Sequence, residues 1–236
     1  MSLARQYSEG LGPAVGIAGH EAVCDHRGAL LLPGLSVLVV SDLHLEKGSS
    51  YARRGVFLPP YDTASTLARL EAVLADHPAR TVISLGDSFH DGGGAGRLPD
   101  EYRSRLKAAM AGRDWFWVSG NHDPDPPQCL PGDCVEELAI GGLMFRHEPS
   151  AEIVEGEIAG HLHPGARIVR QGRSVRRACF ANDGARIVMP AFGALTGSLN
   201  VLDRAFAGLF DWPRFRAHVL GAERVYALNA SVLFPD

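Results

Sequence analysis

Five short apolar runs in this chain each stop at a cluster of Asp, Asn or His, and no other property restricts its folding as tightly. "LSVLVV" runs into Ser41-Asp42-Leu43-His44, and "TVISL" into Gly86-Asp87 with His90 three residues on. "WFWVS" runs into Gly120-Asn121-His122-Asp123, "LMFR" into His147, and "EIA" into Gly160-His161-Leu162-His163. Runs this short, rich in β-branched and aromatic residues, read as buried strands. After the third, Pro124, Pro126 and Pro127 exclude both helix and strand. In open α/β sheets, ligands gather beyond the carboxyl ends of the strands, so one crevice can receive all five clusters.

The remaining chain supplies a frame for that crevice. Residues 21–25, 28–32 and 35–41 read as three strands, broken at "HRG" and "PG". Residues 61–76 carry Leu67, Leu70, Val73 and Leu74 at helical spacing, with Asp62 or Thr63 as the cap. A second amphipathic helix enters at Pro99-Asp100 and leaves at Gly112. Strands are expected near 135–140, 143–146 and 157–159. From residue 164 a three-strand meander follows, turned at Gln171-Gly172 and at Asn182-Asp183-Gly184. Strand and helix alternate early and strands dominate late, which predicts one domain over 1–236 containing two sheets.

With 46% hydrophobic and 21% charged residues the chain can bury a real core. A net charge of −4 argues against nucleic-acid binding by bulk charge, so a polyanion would have to meet a local patch. One candidate holds Arg167, Arg170, Arg173, Arg176, Arg177 and Arg186, with Asp183 the only acid between 167 and 186. Glu148, Glu152, Glu155 and Glu157 form the opposite run just upstream, and a solvated charged face explains either equally well. Arg53 and Arg54, close behind Asp42 and His44, are better placed to bind a phosphate. Tyr51 and Phe57 are expected to pack beneath that loop rather than to stack on a base. Cys24, Cys129, Cys134 and Cys179 form no CxxC pair and read as reduced thiols. No apolar leader opens the sequence and no apolar run is long enough to span a bilayer, so a cytoplasmic location without membrane contact is expected.

The residue types in the clusters suit a pair of divalent cations. Carboxylate oxygens, neutral imidazoles and an Asn carbonyl bind Mn, Fe or Zn. In an extended segment Asp42 and His44, or His161 and His163, would point to one side. A single carboxylate bridging two ions is the arrangement that hydrolyses phosphate esters, and the glycines before Asp87, Asn121 and His161 let the chain turn sharply. Each motif alone is weak, since a strand-end Asp or His is commonly a cap. The ordered set of five is strong.

That set, over about residues 36–164, resembles the calcineurin-like metallophosphoesterases. The resemblance implies an α/β fold: a four-layer αββα sandwich of two mixed β-sheets flanked by helices, with a dinuclear centre at the sheet edge. Carried over by motif, Asp42, His44, Asp87 and His163 would hold one ion, and Asp87, Asn121, His147 and His161 the other. His122 would contact the phosphate and protonate the leaving oxygen, helped by His90, while Asp123 would hold the His122 ring in its tautomer. "GDSFHD" lacks the Arg of the Ser/Thr phosphatases, and His90 matches the repair nucleases better. "SDLHLEKGSSYARRGVFLPPYDTASTLARL", "AGHLHPGARI" and "VMPAFGALTG" are similar to the bacterial DNA-ligase-associated metallophosphoesterases. This implies a Mn-dependent nuclease on DNA, single strands in particular, working in repair beside a DNA ligase and a helicase. The rivals are a pyrophosphatase of nucleotide-sugar lipids, for which no lid helix is visible, and a non-catalytic scaffold, which would be expected to lose His122.

Overall fold

Residues 14–59, 61–125, 127 and 129–236 are described by a computed structural model, which leaves the opening segment, Pro60, Pro126 and Gln128 outside the described residues. The apolar runs form two facing sheets. The first runs in chain order from edge to edge: β1 (Ala14–Ile17), β2 (His20–Cys24), β3 (Leu30–Leu32), β4 (Val37–Val40), β5 (Thr81–Leu85), β6 (Asp114–Val118) and β7 (Asp133–Val135). Pairing is antiparallel as far as β4 and parallel from β4 to β7. Parallel neighbours need a crossover. Here α1 (Lys47–Ala52) and α2 (Asp62–Asp76) bridge β4 to β5, while α3 (Gly94–Arg97) and α4 (Asp100–Met110) bridge β5 to β6.

The second sheet comprises β8 (Glu137–Ile140), β9 (Leu143–Arg146), β10 (Glu157–Ala159), β11 (Pro164–Arg170), β12 (Arg173–Asn182), β13 (Arg186–Val188) and β14 (Leu199–Asn200), in the spatial order β14-β11-β12-β13-β10-β9-β8. A hairpin of β15 (Arg216–Leu220) and β16 (Val225–Asn229), not foreseen from the sequence, attaches through β12. The expected strand at 135–140 is divided at Glu136, where the chain crosses from the first sheet to the second. The turn at Gln171-Gly172 takes positive φ at both residues (51° and 72°), the backbone a two-residue hairpin requires.

Alternation along the strands assigns the faces. Val37, Val39, Ile83 and Leu85 meet Phe145, Ile158, Phe180 and Ile187 between the sheets. Leu38, Val40, Val82 and Trp117 pack outward against Leu67, Leu70, Val73 and Leu106 of α2 and α4. The outer face of the second sheet is closed differently. There Phe206, Phe210 and Phe215 cover Cys179, Ala181, Val188 and Ala217, so this fourth layer is an aromatic segment with short 3-10 turns.

Several polar expectations change. Neither Asp62 nor Thr63 caps α2; Asp62 Oδ2 accepts from Gly48 N–H and Thr63 Oγ1 from Glu46 N–H, which ties α1 to α2. Glu157 and Arg186, read from sequence as members of two surface charge runs, are 0% and 2% exposed and form an ion pair with each other. All four cysteines are free. No helix among the described residues is long and apolar enough to cross a membrane.

Candidate metal centre

Parallel pairing decides where the clusters go. β4, β5 and β6 are parallel neighbours in one sheet, and β9 and β10 in the other. Their carboxyl ends deliver Asp42 and His44, Asp87, Asn121 and His122, His147, and His161 and His163 to one edge of the sandwich. The segments carrying Asp42 and His44 are not extended as expected. Asp42, His44, Asp87, His161 and His163 all hold positive φ, between 44° and 68°, a left-handed backbone that costs a non-glycine residue about 1–3 kcal/mol. Neighbouring main chain supports it: Asp42 N–H donates to Gly86 O, His44 N–H to Asp87 O, and Gly193 N–H to Asp42 O.

The preceding glycines are needed for two reasons. Gly86 takes φ +73°, and a Cβ on it would meet the His147 ring at 2.4 Å. Gly120 and Gly160 are needed for space: a Cβ would lie 2.2 Å from Asp87 N and 1.9 Å from Ser41 Oγ respectively.

Two donor groups result, Asp42 with His44 and His163, and Asp87 with His147 and His161; within each, one potential ligand atom per residue lies within 4.8 Å of the others. Asp87 faces both. Its Oδ2 is 3.8 Å from His44 Nε2 and its Oδ1 is 3.5 Å from His147 Nε2. His147 Nδ1 sits 2.8 Å from Leu85 O, which only accepts, so the ring proton belongs on Nδ1. That leaves the Nε2 lone pair aimed at Asn121 Oδ1 (3.0 Å) and His161 Nδ1 (3.2 Å). In the other group buried Asp42 Oδ1 and His163 Nε2 lie 3.1 Å apart, and neither has a hydrogen-bond partner beyond the other. Acceptors converging in this way are what a divalent cation satisfies, so the residues present fit a metal pair.

Burial tunes the same groups. It drives His44 down to about 3, with Asp42 pulling the other way and the His163, His122 and His90 rings adding to the fall, so the imidazole is neutral. Burial alone would raise Asp42; His163, His147 and the Ser41 hydroxyl outweigh it and hold the carboxyl below its usual range. Burial raises Asp123 to about 7, against the Phe89 N–H that stabilises its anion.

The structure corrects one assignment. Among the described residues Asp123 makes no hydrogen bond to His122: its Oδ2 accepts from Phe89 N–H at 2.9 Å and braces the β5 loop. His122 Nδ1 lies instead 3.0 Å from the main-chain carbonyl of His90. The His122 ring, 41% exposed, stacks on that of His90 at 5.2 Å and turns Nε2 toward the cleft, 4.0 Å from Asp87 Oδ2. His90 therefore positions His122 through its ring and its carbonyl. No sequence motif marks a carbonyl, which is why this contact was not foreseen.

Comparison with known proteins places the chain in a family. The family model described as calcineurin-like phosphoesterase matches residues 35–181. The chain belongs to that family. It is also similar to the crystal structure of Pseudomonas putida nuclease MPE, at 29% identity and a TM-score of 0.68, over 92% of this chain and 99% of that one. No curated protein matches.

In this calcineurin-like phosphoesterase the rim of the cleft is cationic. Arg53 and Arg54 are exposed just beyond α1 and make no ion pair among the described residues. Burial, with the charges of Lys47, His122 and Arg54 adding to it and Asp91 opposing, lowers His90 to about 4. Lys47 escaped the sequence reading, although it lies in the same "DLHLEK" stretch.

Proposed function

We propose that this chain is a two-metal-dependent phosphodiesterase acting as an endonuclease on DNA, single strands in particular, and serving in repair. The observation that carries the reading is Asp87 set between two convergent acceptor groups, with the His122 ring at the mouth of the same cleft. The likeness to a nuclease over almost the whole chain supports the substrate class. In this reading Asp42, His44, Asp87 and His163 hold one ion, and Asp87, Asn121, His147 and His161 the other. Manganese is the proposed metal, with iron or zinc compatible with the same donors. The ions, when bound, supply Lewis-acid charge and a water of lowered pKa.

The protein's own residues do the rest. His90 O holds the Nδ1 proton of His122, so Nε2 is the atom that meets the phosphate; in the imidazolium form its Nε2–H passes to the departing sugar oxygen and leaves the ring neutral. Asp123 acts on this geometry only at one remove, by holding the loop that presents His90. Lys47, Arg53 and Arg54 draw the phosphate backbone to the cleft. Arg170, Arg173 and Arg177 extend the cationic surface along the β11–β12 hairpin, exposed and without ion pairs among the described residues. Arg167 and Arg176 are engaged instead, by Pro235 O and the Asp236 carboxylate. A DNA ligase and a helicase are the proposed partners, and the cytoplasm the proposed location.

Cleavage of closed circular single-stranded DNA in Mn, by wild type and by His122→Ala with metal content measured for both, tests this. Nicking by wild type that is lost in a variant retaining its metals is the expected result. A fully metallated wild type that leaves the circle intact while hydrolysing a generic phosphodiester would transfer the reading to a nucleotide-sugar pyrophosphatase.

A further inference from the structure

We propose that an apolar cleft behind α1 receives a nucleobase flanking the scissile phosphate, with Phe57 as its stacking wall; the proposal rests on the nuclease reading above. Phe57 does not pack beneath the loop as its sequence position led one to expect. It is 85% exposed, and Val56 and Tyr61 in the same loop are 49% and 69% exposed. Apolar surface concentrated in this way and rimmed by charge marks a binding site rather than a folding element. Phe57, Leu58, Ala52, Pro99 and Tyr102 line a cleft of about 590 Å³, a size that suits a small planar ligand.

Its position ties it to the metal centre. Gly48, Ser49 and Ala52 of α1 form one wall of the cleft. On the same helix the Tyr51 ring lies 5.4 Å from that of His90, which in turn stacks on His122. One helix, roughly 10 Å across, therefore separates the cleft from the residue assigned to the leaving group, a span that a flanking nucleotide can bridge.

The chemistry of the walls selects the occupant. Arg53 and Arg54, exposed and without ion pairs among the described residues, lie in the chain between α1 and Phe57, where an anionic backbone would run. An aromatic face beside such cations is the pairing by which proteins hold single-stranded nucleic acid. The floor carries Glu46, Asp62 and Thr63, with Thr63 Oγ1 donating to Glu46 Oε1 at 3.1 Å. Carboxylates there suit the amino edge of a base and are hostile to an acyl chain.

The test is a scan with single-stranded oligonucleotides carrying one abasic residue at successive positions around the cleavage site. An intact oligonucleotide is the reference, and wild type, Phe57→Ala and Phe57→Trp are compared. Removing one flanking base is expected to lower wild-type kcat/KM about tenfold, as stacking energies of this kind imply. The same abasic residue should cost Phe57→Ala almost nothing, and Phe57→Trp should restore the penalty. An abasic penalty of equal size in Phe57→Ala, or none at any position in wild type, overturns the proposal. If wild type hydrolyses bis(4-nitrophenyl) phosphate but cuts no oligonucleotide, the nuclease reading itself falls, a result distinct from either of those.

Discussion

Gly120→Ala isolates the geometry of the centre from its chemistry, because it alters no ligand and no charge. Gly120 has no positive φ, so alanine meets no backbone penalty there. Its methyl group would lie 2.2 Å from Asp87 N, 2.3 Å from Asp87 Oδ1 and 2.7 Å from Asp123 Oδ1. Opening those approaches to van der Waals contact moves Asp87 by about 1 Å, since the first neighbour is main chain and cannot rotate away. Overpacking of this kind costs about 1–3 kcal/mol of stability, and a misplacement near 1 Å costs about 100-fold in rate. Asp87 faces both donor groups, so both ions should be lost together. Metal analysis of the purified protein and phosphodiester hydrolysis across a Mn titration provide the assay. Gly112→Ala is the comparison: φ is +76° with nothing within 4 Å of the added carbon. It should therefore lose about 1–2 kcal/mol to strain while metal content stays at the wild-type level. Full metal occupancy and a wild-type rate in Gly120→Ala would refute the claim that Asp87 is held between two sites by main-chain packing.

Two other predictions concern stability. Glu157→Gln leaves Arg186 buried with its charge uncompensated, though Leu209 O, Ser150 O and Glu152 O still accept from it. A loss near the lower end of the roughly 3–5 kcal/mol for breaking a buried pair is expected in urea denaturation, and a loss under about 1 kcal/mol would show the pair to be dispensable. His218 is buried on β15, and burial, with Arg216 adding to it, lowers its pKa to about 4 from an ordinary 6.5. The unfolded chain therefore takes up the proton first, so stability should fall as pH drops from about 6.5 to 4, by about 3 kcal/mol in all. His218→Leu should flatten that part of a melting-temperature profile, and an unchanged slope would assign it to other groups.

The site was legible because each ligand candidate follows an apolar run short enough to be only a strand, and parallel pairing then brings strand ends together. Backbone conformation was not. An Asp-x-His spacing reads as two side chains on one side of an extended segment, whereas Asp42 and His44 reach the cleft from left-handed positions held by contacts to Gly86 O and Asp87 O. Adjacency misled in the same way at Asp123: a turn sends neighbouring side chains apart, so His122 is held by a carbonyl 32 residues earlier. Long-range pairing is equally invisible to composition, which placed Glu157 and Arg186 on the surface although each is buried by the other. At 135–140 the apolar pattern was correct, and only the change of sheet at Glu136 escaped it.

Five left-handed residues at one edge also set what metal should do to the fold. At about 1–3 kcal/mol each their strain is a large fraction of an ordinary folding free energy, and the buried carboxylates of Asp42 and Asp87 add to it. A metal pair offsets both terms at once, because it holds the ligands in their turns and neutralises the acceptors they bring together. At 100 times its dissociation constant each ion contributes about 2.7 kcal/mol. Two ions should then raise the melting temperature by roughly 10–20 °C for a chain of this size. Thermal unfolding after chelation, followed by a Mn titration, measures this directly. The midpoint should climb with Mn in wild type and climb much less in Asp42→Asn, whose remaining oxygen cannot carry the charge. A melting temperature indifferent to Mn up to millimolar concentrations would mean that the left-handed turns are held by main-chain contacts alone, and that these residues do not form a metal centre.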